Sequence, residues 1–380
     1  MTPATPGTSV AVVGLGFGAE FLPIYLSHPD VERVAICDSD EQRLRTVGDR
    51  YRIEDRYTTL DGVLADERYD AVHLLTPVAH HAAQTLRVLR SGRHCACAVP
   101  MATSLDDLAA IIAAQRESGR VYMMMETSVY GREYLHVRDR YARGELGPLT
   151  FLRGVHVQDL VGFPEYWWGF PPMHYVTHAL SPLLALSGAR VRTVHCLGSG
   201  RLPGHLVRDH DNPYPLETAL FRLDRDDLAA EVTMAFFQTA RAYQEGFSVY
   251  GQRMGFEWEQ LAGEGPAEFV LHEVQPGRRG RSGTGVRIEP ADRADLLPPE
   301  IARFSTTSEY DPGTGPLTVG AHHGGSHPHL VHEFVTSIVR GRVPAVDAVT
   351  AARWTAPGIC AHASALRDGE AVPVPTFDLT

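Results

Sequence analysis

The first third of the chain alternates short apolar runs with amphipathic segments. Each run is nearly continuous in apolar residues, as in parallel strands that are buried on both faces. The segments between the runs repeat apolar positions with the period of a helix. The runs lie at 10–13, 31–37, 69–75, 93–98 and 120–125, and the longer helical segments lie at 40–51, 79–91 and 104–118. This order predicts a doubly wound parallel sheet in an α/β fold.

The pattern changes after residue 126. Imperfect two-residue alternation with short turns is typical of an antiparallel sheet with one exposed face. The strand-like segments lie at 149–160, 191–197, 217–223, 227–237, 247–250 and 269–274, the helical segments at 130–143, 174–187, 327–340 and 347–367, and long loops are predicted over 275–316. A chain of 380 residues accommodates two domains, and we place their boundary between residues 126 and 127.

A glycine-rich turn, Gly14-Leu-Gly-Phe-Gly-Ala19, follows the first strand. Gly14 permits a tight turn, and Gly16 lets a pyrophosphate approach the backbone. The small Ala19 allows the next helix, which we expect to begin near this residue, to pack closely on the strand. The N-terminus of that helix supplies backbone N–H donors to phosphates.

Asp38 ends the second strand, where the dinucleotide fingerprint places the acceptor for the ribose hydroxyls. Strand, glycines, helix, strand and acid therefore follow one another in the order of a dinucleotide site. A carboxylate pairs with a free 2′-hydroxyl and repels a 2′-phosphate, which favours NAD over NADP. Arg43 and Arg45 lie nearby and weaken that preference.

Composition and charge exclude several classes of partner. The net charge of −11 argues against nucleic acid, and no apolar run has the length that spans a bilayer. Residues 1–7 predict a short tail rather than a signal peptide. The five cysteines stand in or beside apolar runs, which is typical of reduced thiols in a cytoplasmic protein.

The chain contains no lysine, so all 35 of its Lys and Arg residues are arginine. No reaction step can use a lysine amine as a base, an acid or a Schiff-base nucleophile. Arginine stays protonated and does not replace lysine in proton transfer. Histidine and tyrosine are therefore the candidates for proton transfer at a substrate hydroxyl.

Several motifs along the chain resemble the glucose–fructose oxidoreductase/inositol dehydrogenase/rhizopine-catabolism (Gfo/Idh/MocA) family. They are Val12-Val-Gly-Leu-Gly-Phe-Gly18, Thr76-Pro77 with His81, the segment 92–103, Gly144-Glu-Leu-Gly-Pro148 and Gly341-Arg-Val-Pro-Ala-Val-Asp347. The resemblance implies a nucleotide-binding Rossmann domain, residues 1–126, and an α+β domain, residues 127–380, with a large, open, mostly antiparallel sheet that binds substrate and forms homodimers or homotetramers. Family members mostly oxidise or reduce sugars and cyclitols with NAD or NADP.

The resemblance and the strand ends together predict the cofactor-binding residues. In a parallel sheet the carboxyl ends of the strands meet at one edge, where ligands bind. The predicted residues are Gly14, Gly16, Phe17, Gly18, Asp38, Thr76, Pro77, His81, Ala98 and Pro100.

Two departures from the family pattern concern its proton-transfer residues. The family's Glu-Lys-Pro signature stands here as Ala98-Val99-Pro100, without the lysine. Its later Asp…His pair stands as His174…His178. The usual dyad of the family is therefore incomplete in this chain.

A branch of the superfamily, the NAD-dependent glycosidases, also lacks that lysine and is similar in two further stretches. Tyr175-Val-Thr-His178 resembles its Tyr-Pro-Thr-His segment, and the stretch from Glu126 to Tyr130 resembles its Glu-Asn…Tyr segment. In a third stretch His156 takes a tyrosine position and Gln158 a histidine position. The branch is implied to oxidise C3 of the sugar transiently, eliminate the aglycone, add water and return the hydride.

The candidate catalytic residues follow from helical spacing and from this resemblance. His174, Tyr175 and His178 lie on one side of a helix and line one pocket wall. His178 is the leading base because it titrates near neutral pH, Tyr175 is its partner or relay, and His156 is placed to abstract the proton beside a new ketone. The predicted substrate-binding residues are Glu126, Tyr130, Gln158, Asp159 and Trp167.

Each of these assignments has a purely structural alternative. A His-x-x-x-His pair is often two satisfied or solvent-facing side chains. The aromatic segment around Trp167 stacks on a pyranose, or else forms core or a subunit contact. The five histidines from His322 to His332 have two alternative interpretations, a metal site or a polar loop that enters a helix. We assign no metal ligand among them.

Three functions remain open from the sequence. The leading prediction is an NAD-dependent oxidoreductase that moves a hydride to or from a ring carbon of a sugar, glycoside or cyclitol, with His and Tyr in place of Lys. The second is a glycosidase or lyase that recycles its NAD. The third is a non-catalytic regulator that binds a dinucleotide or a sugar.

Overall fold

The computed structural model describes residues 7–207, 210–306, 309–311, 315–317 and 322–377. These residues divide into two compact units. The first comprises the described residues up to Gly131 together with those of Asp292–Ala352, and the second comprises those of Arg132–Ala291 and Arg353–Thr380. The first stretch of the first unit ends at Gly131, five residues after the predicted boundary at 126/127. Residues 292–352 belong to the first unit, whereas the sequence analysis places them in the second domain.

The first unit contains a six-stranded parallel sheet in the order β3-β2-β1-β4-β5-β6. The strands are β1 (Thr8–Val13), β2 (Val31–Cys37), β3 (Arg56–Tyr57), β4 (Ala71–Leu74), β5 (His94–Cys97) and β6 (Tyr122–Met124). The helices between them are α1 (Leu15–Gly18), α2 (Leu22–Ser27), α3 (Glu41–Tyr51), α4 (Leu60–Ala65), α5 (His81–Arg90) and α6 (Leu105–Ser118). The doubly wound parallel sheet of the sequence analysis is thus confirmed.

The helix after the glycine turn begins earlier than the sequence suggests. It starts at Leu15 rather than near Ala19, and a 3₁₀ turn at Ala19–Phe21 joins α1 to α2. A Cβ on Gly18 would lie 3.1 Å from the side chains of Leu75 and Val12. The close packing that the sequence analysis assigns to Ala19 therefore occurs at Gly18.

The second unit is built on a nine-stranded sheet in the order β14-β13-β12-β11-β7-β10-β9-β8-β17. Neighbouring strands are antiparallel except β7 and β10, which are parallel. The strands of this sheet are β7 (Leu149–Gln158), β8 (Val191–Ser199), β9 (Leu216–Leu223), β10 (Ala229–Ala235), β11 (Tyr243–Gly251), β12 (Met254–Glu257), β13 (Ala267–Leu271), β14 (Gly283–Arg287) and β17 (Val372–Pro373). A separate two-stranded sheet consists of β15 (Glu309–Asp311) and β16 (Gly315–Leu317). The large, mostly antiparallel sheet is confirmed.

The described residues contain five further helices. They are α7 (Arg132–Ala142), α8 (Thr177–Ser187), α9 (Pro299–Ala302), α10 (His327–Val339) and α11 (Ala348–Ala365). Part of the predicted loop region 275–316 is ordered: β14 pairs with β13, the strand before it in the chain, and α9 packs on α2. No described helix has the length and apolarity needed to cross a membrane.

The segment 292–352 joins the first unit because of its apolar face. Leu330, Val331 and Phe334 of α10 are fully buried in the same core cluster as Phe21 and Leu22 of the first domain. Burial of a side chain of this size stabilises the fold by about 1.5–3 kcal/mol. The partner surface is some 300 residues earlier in the chain, so local patterning alone does not identify it.

Candidate functional site

The glycine turn of the first unit has the shape that a dinucleotide phosphate requires. Gly14 has φ +91°, and a Cβ there would lie 2.6 Å from the carbonyl oxygen of Leu75, so only glycine fits. A Cβ on the exposed Gly16 would meet no protein atom within 4 Å. The space beside Gly16 is therefore open to a ligand, and Phe17 beside it is 38% exposed.

Asp38 lies buried at the carboxyl end of β2 and is tied to this turn. Its Oδ2 accepts a hydrogen bond from the backbone N–H of Leu15 at 2.8 Å. Its Oδ1 accepts from the N–H of Asp40 at 2.8 Å, and the half-exposed Arg43 donates to both oxygens at 3.2 and 3.3 Å. The carboxylate is thus held rigidly beside the turn, with a guanidinium next to it.

The remaining predicted cofactor residues line the neighbouring strand ends. Thr76, Pro77 and Ala98 are partly exposed, whereas Pro100 is buried after a cis peptide bond with Val99. His81 is buried, and its two ring nitrogens lie 2.8 Å from the carbonyl oxygens of Thr76 and Pro100. His81 therefore joins two strand ends, which is a positioning role rather than direct access to a ligand.

The charge of His81 follows from these contacts. Two carbonyl acceptors require two N–H donors, which only the protonated ring supplies. Burial opposes the charge, but the nearby Cys97 sulfur and the two carbonyls outweigh it and raise the pKa of His81 to about 9.

Glu126 and Tyr130, predicted to bind substrate, belong to the first unit. Glu126 is fully buried, and its Oε1 accepts hydrogen bonds from the N–H and the hydroxyl of Ser128 at 3.1 and 2.9 Å. It thereby caps a 3₁₀ turn at Thr127–Val129. Tyr130 is partly buried against the core cluster. Both residues have a structural role in this unit, and their contact with substrate stays a prediction.

A cluster of polar side chains lies on one face of the sheet in the second unit. His156 of β7 is directly paired with Glu245 of β11, so the two side chains project from the same face. His178, in the first turn of α8, lies with its Nδ1 3.9 Å from Oε1 of Glu245. The rings of His156 and His178 are 5.3 Å apart. We call His156, Tyr175, His178, Tyr243 and Glu245 the histidine cluster.

The two tyrosines complete this cluster. The Tyr175 ring lies 5.0 Å from that of His178 and 5.9 Å from that of His156. The Tyr243 hydroxyl donates to Oε2 of Glu245 at 2.5 Å, and its ring lies 5.6 Å from His156. Sequence reasoning predicted His156, Tyr175 and His178, and the structure brings them together.

Gly154 allows this convergence. It lies on β7 two residues before His156 and on the same face, and a Cβ there would overlap the carbonyl oxygen of Ala179 in α8. Any side chain at this position would push α8 away from the sheet. The glycine therefore lets His178 approach His156.

Aromatic residues flank the histidine cluster. Trp167 is partly exposed, and its ring lies 5.4 Å from that of Tyr175 and 5.3 Å from that of Phe170. Gln158 is partly exposed at the end of β7, and Asp159 is exposed with its Oδ1 accepting from the N–H of Val161 at 3.1 Å. Of these three predicted substrate residues, Trp167 contacts the ring of Tyr175, and Gln158 is paired with Tyr243 across β7 and β11.

His174 belongs to a different group of side chains. Its ring lies 5.1 Å from that of His362 and 5.9 Å from that of Phe170. The expectation that it lines the same wall as Tyr175 and His178 assumes one regular helix, but residues 172–175 form a 3₁₀ turn and α8 begins at Thr177. Because a 3₁₀ turn rotates about 120° per residue, the face changes. Burial, and then the nearby His362 and His210, lower the pKa of His174 to about 3.

Sequence reasoning missed Glu245 and Tyr243. Their alternate positions on β11 indicate a common face, but only the pairing of β11 with β7 places that face beside His156. Burial, above all, raises the pKa of Glu133 in the same unit, and the charge of Glu245 adds to this shift while that of Arg132 opposes it.

The histidine-rich segment 322–332 packs within the first unit. His327 is buried and stacks on Phe21 with ring centroids 4.4 Å apart, and Nδ1 of His332 lies 3.0 Å from Nε2 of His28. His329 is buried, and burial, above all, lowers its pKa to about 4. Among the described residues, the three side chains whose geometry suits a metal ion are instead His156, His178 and Glu245.

Comparison with known proteins identifies the first domain. Residues 8–126 match the model of the Gfo/Idh/MocA family, described as an oxidoreductase family with an NAD-binding Rossmann fold. Residues 8–126 are a Gfo/Idh/MocA domain. The Rossmann fold, the NAD-binding domain and the oxidoreductase type of the sequence analysis are thereby confirmed.

Similar proteins extend over nearly the whole chain. A glycosyl hydrolase family 109 protein of Saccharopolyspora erythraea is 23% identical, over 97% of this chain and 83% of its own. The solved structure of a levoglucosan dehydrogenase with NADH and levoglucosan has a TM-score of 0.76 at 17% identity, over 97% of this chain and all of that one. The myo-inositol 2-dehydrogenase of Lactobacillus plantarum has a TM-score of 0.71 at 14% identity, over 97% and 100%. These structures share the fold of both domains.

Proposed function

We propose that this protein is an NAD-dependent oxidoreductase that moves a hydride to or from a ring carbon of a sugar, glycoside or cyclitol. The observation that carries the proposal is the convergence of His156, Tyr175 and His178 in a chain whose first domain is of the NAD-binding oxidoreductase type and which contains no lysine. Names of relatives that act on sugars and cyclitols support the substrate class.

The dinucleotide, when bound, supplies the hydride acceptor or donor. Gly14, Gly16 and Asp38 fit it, since the open space beside Gly16 suits a pyrophosphate and the fixed carboxylate suits a ribose diol. The residues of the histidine cluster carry out the proton transfer. His178 accepts the substrate hydroxyl proton, and the phenol of Tyr175, whose ring is 5.0 Å away, relays it.

Glu245 supports the proton acceptor electrostatically. A carboxylate oxygen 3.9 Å from Nδ1 of His178 favours the protonated imidazole. Tyr243 holds the other oxygen, so the carboxylate keeps its orientation. Once His178 has accepted the substrate proton, this carboxylate stabilises the resulting imidazolium. Trp167 beside Tyr175 provides an aromatic face for a pyranose.

The glycosidase reaction is the second candidate. It is favoured by a full-length relative named a glycosyl hydrolase family 109 protein and by the motif Tyr175-Val-Thr-His178. In that reaction His156 abstracts the proton beside the transient ketone, the aglycone leaves, water adds, and the hydride returns. The net change is hydrolysis with no net NADH.

One assay distinguishes these reactions. The purified protein is incubated with NAD and a panel of free sugars, cyclitols and nitrophenyl glycosides, while NADH absorbance and nitrophenol release are followed together. NADH that appears in step with substrate loss supports the oxidoreductase, and nitrophenol without net NADH supports the glycosidase. If neither signal appears over the panel, both enzymatic proposals fail and a dinucleotide- or sugar-binding regulator is left.

The preference for NAD over NADP is tested at Asp38. Asp38→Asn keeps an acceptor oxygen for the Leu15 N–H but removes the negative charge. A hydrogen bond to a charged group contributes about 1.5–3 kcal/mol, so we expect the Kd for NAD to rise by about 10- to 100-fold. Arg43, no longer paired with a charge at position 38, then favours a 2′-phosphate. Isothermal titration with both cofactors measures the ratio.

The control for this variant is Asp40→Asn. Asp40 also pairs with Arg43, at 3.4 Å, but it is exposed and caps α3. Its replacement should leave the ratio of the two dissociation constants unchanged. Tighter binding of NADP than of NAD by the unmodified protein would contradict the assignment of Asp38.

A further inference from the structure

We propose that His156, His178 and Glu245 form a binding site for a divalent transition-metal ion of the zinc class. Their ligand atoms all lie within 4.8 Å of one another. Both histidines are buried, at 1% and 4% exposure, and the Glu245 side chain is 11% exposed. Three side chains with this chemistry therefore face a single point inside the second unit.

The donor set selects the class of ion. Two imidazoles and one carboxylate suit zinc, cobalt, nickel or iron, whereas magnesium and calcium prefer all-oxygen sites. With zinc–ligand distances of about 2.0–2.2 Å, tetrahedral ligand atoms stand about 3.3 Å apart. The present spacing, from 3.9 Å between His178 and Glu245, closes by side-chain movements of about 1 Å.

The surroundings of Glu245 favour the same arrangement. The Tyr243 hydroxyl binds Oε2 and leaves Oε1 facing His178. Outer hydrogen bonds of this kind orient metal-ligating carboxylates. The direct pairing of His156 with Glu245 across β7 and β11 fixes two of the three ligands on rigid backbone. Three protein ligands leave a fourth position for water or a substrate oxygen.

Metal binding has a consequence for the proposed function, and this part of the inference rests on that function. A metal occupies the imidazole lone pair that accepts a proton. His178 therefore serves either as a metal ligand or as the proton acceptor, but not both at once. Zinc bound at this site inhibits turnover, and a chelator restores it.

Direct binding tests the site without reference to activity. The full chain, prepared without a histidine tag and dialysed against EDTA and then metal-free buffer, is titrated with ZnCl2 by calorimetry and with CoCl2 by visible absorption. We expect one ion per chain that is lost on Glu245→Gln and His156→Gln, and intense cobalt bands of four- or five-coordinate geometry. Tyr243→Phe keeps all three ligands and should weaken binding by about 10- to 100-fold.

Glu257→Gln is the matched control. Glu257 lies on β12, next to β11, and accepts a hydrogen bond from the Tyr250 hydroxyl at 3.0 Å. Glu245 accepts one from Tyr243 in the same way. Its replacement should leave zinc affinity unchanged, and circular dichroism verifies the fold of each variant. Weak binding without a fixed stoichiometry, or equal affinity in Glu245→Gln and Glu257→Gln, overturns the site.

The same preparations separate the two proposals. Sugar-dependent NADH formation by a protein that binds no zinc refutes the metal site and leaves the proposed function intact. Stoichiometric zinc binding by a protein without turnover on any substrate refutes the function and leaves the site. Turnover that is unaffected when the site is saturated with zinc refutes the inhibitory role.

Discussion

Replacing His178 by alanine is expected to lower turnover by about 10²- to 10⁴-fold, the usual contribution of a general base. The imidazole is the proposed proton acceptor for the substrate hydroxyl, and the lysine-free chain offers no amine to replace it. The dissociation constant for NAD should stay within about twofold, because the glycine turn and Asp38 belong to the other unit. Steady-state kinetics on the best substrate of the panel, with cofactor titration, measure both quantities.

A histidine outside the cluster provides the comparison. His272 is exposed directly after β13 in the second unit, where its Nε2 lies 2.7 Å from the Thr284 hydroxyl. His272→Ala should retain full turnover. If His178→Ala keeps near-normal turnover while its fold is intact, His178 is not the base, and Tyr175 or His156 must take that role.

The conformation of the predicted dinucleotide-binding residues in the first unit is readable from the sequence because it is set locally. Gly14, Gly16 and Asp38 act through backbone conformation and through one strand end, both of which are set by neighbouring residues. The error in this region is small: Gly18, rather than Ala19, provides the close packing. The start of the helix depends on tertiary contacts, and it lies earlier than predicted. The residue that packs closely on the strand is therefore one position earlier.

The histidine cluster is only partly readable in the same way. Tyr175 and His178 follow from a motif, but Glu245 enters through the register of β11 against β7, two strands that are separated by about ninety residues. His174 was misplaced because residues 172–175 form a 3₁₀ turn instead of the first turn of α8. Register and turn type are decided by packing, so no local pattern distinguishes these possibilities.

The domain organisation shows the same limit on a larger scale. Strand and helix types after residue 126 follow largely from alternation and period, and α10 and α11 lie close to their predicted positions. The membership of 292–352 in the first unit depends on which apolar surface accepts Leu330 and Phe334. The quaternary state, a homodimer or homotetramer, and the cytoplasmic location stay predictions from the sequence.

Glu217 is expected to contribute the largest single effect on stability. It is fully buried on β9, where Oε1 accepts from Nδ1 of His362 at 2.7 Å and Oε2 accepts from the N–H of Met173 at 2.9 Å. Glu217→Ala leaves two buried donors without acceptors, so we expect a loss of about 3–5 kcal/mol in the free energy of unfolding. Urea denaturation followed by circular dichroism measures it.

Two further variants provide the comparison for the stability loss of Glu217→Ala. Glu231→Ala, on the adjacent strand β10, removes a carboxylate whose partner Arg153 is more than half exposed, and should cost below about 1 kcal/mol. Glu217→Gln keeps one acceptor oxygen, so its loss in the free energy of unfolding should lie between those of Glu217→Ala and Glu231→Ala. Because the Met173 N–H belongs to the 3₁₀ turn that carries Tyr175, Glu217→Gln should also reduce kcat at saturating substrate. An unfolding free energy for Glu217→Ala no lower than for Glu231→Ala would contradict the anchoring role of this carboxylate.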